Sequence, residues 1–554
     1  MTVIETLETH IPFEANPDLV EYFTPPTLHI HESDISLTGE TIVPTLETLL
    51  AHDKHILLLG EPGTGKSTLL REVLREYQTS GSTNYDTVMY LPLRAFEVSN
   101  KSFIDVFQQR ITRQITKPEN VLWILDGMDE VRDPGLMASL IEEITNSRPE
   151  DHIIIASRSV VYEEGFFEEF SPITIAPFDS NQVKTFIQRY SDQVYGIGYL
   201  IPIPFTTQDG QHFSIPMLME EIVQESFDKN LAIKSLLSTP VSLPYIIDIL
   251  ADGYLLLPNS RPDLCRDIID NCDKHRWAQK DPQSFVSVFE NPDRESYRDL
   301  YDSDKEFLAS ELSDISVRLA MIKFYKYIAD RMMTDFHQSV LNRNDMKTVL
   351  TECFSEVYAQ SVMGVETLPF DFCEQRAENF LQASDKGLPL ITKLEENGYG
   401  FAHRSLFEFL VAQNIINQGH ESGYIESIIS FCTKNDLLFS LHGRESIRML
   451  VELFSIRGDD EGLEKFFHTV LNNSSVQPYE SMLAAASFVT PEIFMSWYGA
   501  LIKEIYFTID RAILTLKESV HLSDQKILFR LRKQQERLNK MIQEKGLYND
   551  ILAD

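Results

Sequence analysis

The chain alternates short, continuous apolar runs with longer stretches in which apolar residues recur every three or four positions. The runs are 55–59 (HILLL), 87–93 (TVMYLPL), 121–125 (VLWIL), 152–156 (HIIIA) and 173–175 (ITI). Apolar runs without alternation are what strands covered on both faces require. Helical patterns lie between them, at 67–78 and 102–115. Together they predict a five-stranded parallel α/β sheet. Upstream, 43–52 (VPTLETLLAH) predicts a short helix, and residues 1–40 read as a loop-like lead-in broken at Pro25-Pro26. Downstream, 192–230 reads as a hairpin-like insertion and 255–400 as mostly helical. Residues 417–554 read as helices without an internal repeat. The last of these is expected to run from about 509 to 545. It carries Leu528, Leu531, Leu538 and Ile542 at three-four spacing, with Gln535 filling one position, too short a stripe for a coiled coil.

Length and composition narrow the classes. The 554 residues suffice for three or four domains of about 150 residues, and 43% are apolar, enough for packed cores. The formal charge of −35, from 49 basic and 84 acidic residues, argues against broad binding to a phosphate backbone. One local exception is the stretch 526–545, where Lys526, Arg530, Arg532, Lys533, Arg537, Lys540 and Lys545 face only Glu536 and Glu544. It reads either as a solvated helix face or as a contact for a partner or nucleic acid. The five cysteines are scattered without metal-ligand spacing, as in a reducing cytosol. No apolar run approaches the ~18 residues of a membrane span, and the N-terminus has no secretory pattern. The expectation is a soluble, cytoplasmic protein.

The chemistry is concentrated where the first apolar run ends. Residues 60–68, GEPGTGKST, match G-x-x-x-x-G-K-[ST] at every fixed position, from Gly60 through Glu61, Pro62, Gly63, Thr64, Gly65 and Lys66 to Ser67, with Thr68 following. A strand feeding a glycine-rich loop that opens a helix presents backbone N–H groups and the positive helix end to phosphates. Lys66 is placed to reach the terminal phosphates and Ser67 to offer its hydroxyl to Mg²⁺. The third strand ends in Asp126, where a carboxylate can hold the same cation, and Gly127 allows a close turn. Asp129 and Glu130 follow. One of them, Glu130 by preference, would orient and polarise the attacking water. Arg158, just past the fourth strand, is placed to sense the terminal phosphate.

GEPGTGKST, LWILDGMDEV and IIIASRS, in this order, resemble the NACHT branch of the STAND signal-transduction ATPases. The resemblance spans roughly 40–416. It implies a P-loop NTPase core of AAA+-like fold over 41–178 and a small helical domain over 179–255 that carries the insertion 192–230. A helical plus winged-helix regulatory region over 256–416 and a helical C-terminal sensor or partner region over 417–554 complete it. Asp179 or Ser180 is expected to cap the first helix of the helical domain. The segment 231–248 resembles the one whose proline, here Pro240, abuts the nucleotide base. FAHRSLFEFLVA, 401–412, resembles the end of the winged helix, whose histidine, here His403, touches the β-phosphate of ADP and holds the closed state. Phe401, Leu406, Phe409 and Leu410 sit at helical spacing and are expected in the core. The resemblance further implies ATP/ADP and Mg²⁺ as cofactors, slow turnover, and self-association into an oligomer on activation. It also implies a trigger such as a phage-derived protein or a nucleic acid, and an effector that is either the C-terminal region or a separate protein. A role in prokaryotic antiviral defence or stress response follows by analogy alone. The alternative is an AAA+-like motor or loader acting on nucleic acid or protein.

Overall fold

A computed structural model describes residues 3–6, 23–30, 41–42, 48–49, 53–80, 85–93, 120–131 and 134–159. It also describes most of 162–218, 234–251, 258–269, 315–363, 368–417, 424–489 and 499–544. The helix expected at 102–115 lies outside the described residues, as does most of 43–52. The chain divides into two compact units. The first is 1–159, 167–322 and 340–400. The second is 160–166, 323–339 and 401–554.

The first unit is built on a sheet. Strands β1 (Val3–Thr6), β2 (Leu28–Ile30), β3 (Thr41–Ile42) and β4 (His55–Leu59) lead into helix α1 (Lys66–Ser80). Then follow β5 (Thr87–Pro92), β6 (Val121–Asp126), α2 (Pro134–Ser147), β7 (His152–Ser157) and β8 (Ser171–Ile175). All eight strands form one sheet in the order β1-β5-β6-β7-β4-β8-β2-β3. The five expected strands form within two or three residues of their predicted bounds, but the expectation of a five-stranded, all-parallel sheet needs correcting. The lead-in, read as loop, adds β1 in parallel to β5 at one edge. At the other edge it adds β2, antiparallel to β8, and β3, just past the lead-in, runs antiparallel to β2. These edge strands of two to four residues carry no apolar run, because their order comes from pairing to a preformed neighbour.

Strands β4 to β7 are buried on both faces. On one face Ile56, Leu58, Val88, Tyr90, Leu122, Ile124, Ile154 and Ala156 pack on Leu69, Leu70, Val73 and Leu74 of α1. Leu57, Met89, Trp123, Ile153 and Ile155 are fully buried on the other.

Beyond the sheet, α3 (Ser180–Val194) starts with a capping box: the Asp179 carboxylate accepts the N–H groups of Asn181 and Gln182, and the Gln182 side chain accepts the Asp179 N–H. The insertion is a hairpin of β9 (Leu200–Thr206) and β10 (His212–Leu218), with Pro202 opposite Pro216. Helices α4 (Leu243–Ala251) and α5 (Arg261–Asp267) follow. Then come α6 (Ile315–Arg331), β11 (Val340–Asn342), α7 (Arg343–Cys353), α8 (Phe370–Asp385), β12 (Ile391–Lys393) and β13 (Gly398–Phe401). The last three strands make a small sheet in the order β11-β13-β12.

The second unit is helical: it takes α6 from residue 323 onward, then α9 (Arg404–Asn417), α10 (Tyr424–Lys434), α11 (Leu441–Arg457), α12 (Asp460–Leu471), α13 (Pro478–Phe488), α14 (Gly499–Leu516) and α15 (Leu522–Glu544). Phe401, Leu406, Phe409 and Leu410 are all buried, as their spacing predicts. The single helix expected at 509–545 is in fact two, α14 and α15, and Gln535 of the second donates to Asp510 of the first at 3.0 Å. Leu528, Leu531, Leu538 and Ile542 are buried, so the stripe is the unit's own packing face.

Candidate functional site

The loop between β4 and α1 closes on itself. The Lys66 ammonium donates to the carbonyls of Gly60, at 2.6 Å, and Glu61, at 3.2 Å. The Thr64 hydroxyl and N–H both return to the Glu61 carbonyl. Gly63 and Gly65 take left-handed backbone angles, φ +79° and +90°. Burial pushes the Lys66 ammonium below its ordinary pKa, with Asp129 favouring its charge and Arg158 opposing it. The loop thus gathers backbone donors and one cation around the N-terminus of a fifteen-residue helix, a geometry suited to phosphate oxygens.

Asp126 ends β6 beside this loop. Its Oδ1 accepts the Ser67 hydroxyl at 3.1 Å and its Oδ2 accepts the Tyr90 hydroxyl at 2.8 Å. Burial raises the Asp126 pKa. The hydrogen bonds from Tyr90 and Ser67 and the charge of Arg71 oppose that rise. A hydroxyl and a carboxylate side by side at a phosphate site are hard oxygen donors of the kind Mg²⁺ takes, so these residues fit the cation.

Gly127 then turns the chain with φ +87°, its N–H bonded to the Ala156 carbonyl at 3.1 Å. The turn opens a single 3₁₀ turn, Met128–Glu130. This geometry separates the two acidic candidates. Asp129 is buried and paired with Arg158, whose Nε lies 2.8 Å from Oδ2 and whose backbone N–H donates to Oδ1 at 3.1 Å. Glu130 is half-buried, its carboxyl folded back toward Gly127. The structure therefore brings Asp129 and Arg158 together as an ion pair.

Pro240 opens a short 3₁₀ turn with Val241 and Ser242. The Val241 N–H donates to the Gly63 carbonyl at 3.2 Å, so the segment singled out for Pro240 is bonded to the phosphate loop itself. A side chain at Gly63 would collide with Val241, because its Cβ would lie 2.2 Å from Cγ1. His403 lies in the second unit, at the start of α9, where its carbonyl accepts the Leu406 N–H at 3.0 Å.

Sequence reasoning missed Tyr90. It stands opposite Ile124, and Asp126 is two residues further along β6, so the pair are diagonal neighbours on one sheet face. The available clue was a tyrosine in an otherwise apolar strand, since a buried phenol needs a partner.

Three residues of the basic stretch near the C-terminus make internal contacts, whereas Lys526 and Arg532 are exposed. Arg530 clamps Glu480 at 2.7 and 3.0 Å. Arg537 donates to the Ala486 and Val489 carbonyls at the end of α13. Lys533 stands over the rings of Tyr162 and Phe529. Lys545 lies outside the described residues.

Residues 54–193 match the family model of the NACHT domain, which supports a NACHT-family NTPase domain over this stretch. No curated protein matches the chain. Among solved structures, Cdc6p from Pyrobaculum aerophilum is similar at 13% identity and a TM-score of 0.26, over 66% of this chain and 92% of that one. The S. cerevisiae Hsp104–ADP complex is similar at 14% identity and a TM-score of 0.26, over 74% of this chain and 57% of that one. Among the described residues no helix is long and apolar enough to cross a membrane.

Proposed function

We propose that this protein is a nucleotide-regulated switch: ADP holds a closed form, and exchange for ATP opens it and lets copies assemble. The observation that carries this reading is the Val241–Gly63 hydrogen bond. A change in the phosphate loop is felt at once by the segment that opens α4. A loop so coupled is suited to setting a state.

In this reading the N–H groups of residues 60–68 and the Lys66 ammonium hold the phosphates. Ser67 and Asp126 hold Mg²⁺, which when bound neutralises phosphate charge. Glu130 orients the attacking water, while Asp129 fixes Arg158 beside the loop. Pro240 faces the base. His403 belongs to the closed, ADP-bound form as a donor to phosphate. The order strand–helix–helix–strand–strand from β11 to β13 supports the winged-helix reading of this region. Hydrolysis is slow and resets the state. The trigger acts on the second unit, and a role in prokaryotic antiviral or stress defence, with a separate effector, follows the family analogy. A continuously working motor on nucleic acid is the weaker reading, because the basic side chains Arg530, Lys533 and Arg537 are engaged within their own unit.

The experiment is to identify what nucleotide the purified protein retains and how fast it turns over. ADP retained near one per chain, with turnover of minutes or slower, supports the switch. A nucleotide-free protein with fast, polymer-stimulated hydrolysis overturns it. Lys66→Ala should retain no nucleotide in either case.

A further inference from the structure

Asp126 is a carboxylate with two oxygens and two different neighbours. Ser67, on the phosphate side, donates to Oδ1; Tyr90, from the adjacent strand, donates to Oδ2. A carboxylate at a strand end can rotate about its last torsion and present either oxygen. A hydroxyl fixed to each oxygen removes that freedom. Tyr90 is well placed for this, because its ring is 2% exposed and packed among Leu69, Leu70 and Ile124, so the hydroxyl has little play. The hydroxyl also bonds the Arg71 side chain while it donates to Asp126 Oδ2, which fixes it further.

We propose that Tyr90 is a positioning residue for the metal–nucleotide complex: by holding Asp126 Oδ2 it turns Oδ1, on the Ser67 side, toward the cation. The proposal rests on the nucleotide-site reading given above. Tyr90 touches neither nucleotide nor metal in this arrangement. It acts through Asp126, as outer partners of metal ligands do.

The test is Tyr90→Phe in the full chain, which removes one oxygen and leaves the ring in the core. Binding of a fluorescent ADP analogue is titrated first in EDTA and then against Mg²⁺ and Mn²⁺. The expected result is unchanged affinity in EDTA, within about twofold, and a roughly tenfold higher Mg²⁺ or Mn²⁺ concentration for the half-maximal metal effect. Asp126→Asn should abolish the metal effect, and adding Tyr90→Phe to it should change nothing further. An unchanged metal midpoint in Tyr90→Phe overturns the proposal, and so does an equal loss of binding with and without metal. Should the phenylalanine variant fail to fold, Tyr90→Met, smaller but flexible enough to fill an irregular core gap, is read by the same criteria. A wild-type protein that binds the analogue with no response to either metal overturns the Mg²⁺ reading of the site itself. Wild-type response with an unaltered variant overturns only the role of Tyr90.

Discussion

The Asp129 carboxylate takes two bonds from one residue, Arg158: the guanidinium Nε at 2.8 Å and the backbone N–H at 3.1 Å. Both side chains are more than 90% buried. The pair ties the turn after β6 to the end of β7.

Removing one partner of a buried ion pair leaves the other uncompensated, which costs about 3–5 kcal/mol. Asp129→Ala should therefore lower the melting temperature clearly. Glu130→Gln should leave melting nearly unchanged and slow single-turnover ATP hydrolysis by ~100-fold or more. Thermal unfolding and single-turnover kinetics on both variants decide this. Normal hydrolysis by Glu130→Gln would hand the water-orienting role elsewhere.

Gly63 is constrained twice, by its φ of +79° and by Val241. Gly63→Ala should weaken nucleotide binding, because the methyl displaces Val241 and breaks the 3.2 Å bond to the loop. Adding Val241→Ala removes the colliding methyl. The double variant should then recover part of the affinity, with the backbone strain of about 1–2 kcal/mol remaining. Equal binding by Gly63→Ala and wild type, measured with a fluorescent ADP analogue, would show that the contact does not constrain the loop.

His55 and His152 open the neighbouring strands β4 and β7. Their Nδ1 atoms are buried without a hydrogen-bond partner among the described residues. Burial lowers both pKa values, and Lys54 adds to the effect. The unfolded chain thus takes up protons below the ordinary value near 6.5, where the folded chain stays neutral. Their contribution to stability is full above that pH and is lost as pH falls toward the folded pKa values. Melting temperature should drop between pH 7 and pH 5, and the slope should flatten in a His55→Phe/His152→Phe protein. An unchanged slope would place the acid sensitivity in other groups.

Within the proposed switch, His403→Ala should release ADP roughly ten- to a hundredfold faster and assemble without its trigger. The measurement is ADP dissociation from wild type and variant. Equal rates in a folded variant would leave His403 as a packing residue of α9.

The core of this fold is legible in the sequence because four of its strands are covered on both faces. A continuous apolar run as short as Leu122–Leu125 is the mark such a strand leaves. β1 to β3 were not legible. Thr6 is a strand residue because Tyr90 stands beside it, and no local pattern of VIET, LHI or TI says so. The loop residues Gly60 to Ser67 could be placed from spacing alone. The Asp129–Arg158 pair could not, since it joins residues 29 apart whose meeting depends on strand order. The internal contacts of the basic stretch were hidden for the same reason. Arg530 and Arg537 find their acceptors about fifty residues earlier, on α13 and just beyond its end.

Tyr162 belongs to the helical unit although its neighbours in sequence, before 160 and after 166, belong to the sheet unit. Its ring meets Phe529 edge-on and lies under Lys533. On the ribosome it is made about 370 residues before those partners, roughly 20–70 s earlier at ~5–20 residues per second. For nearly all of that interval the sheet unit has its strands β1 to β8 already made, while Tyr162 lacks its Phe529 and Lys533 contacts. Synthesis thus imposes an order of assembly, with this contact of the helical unit unable to form until α15 has emerged.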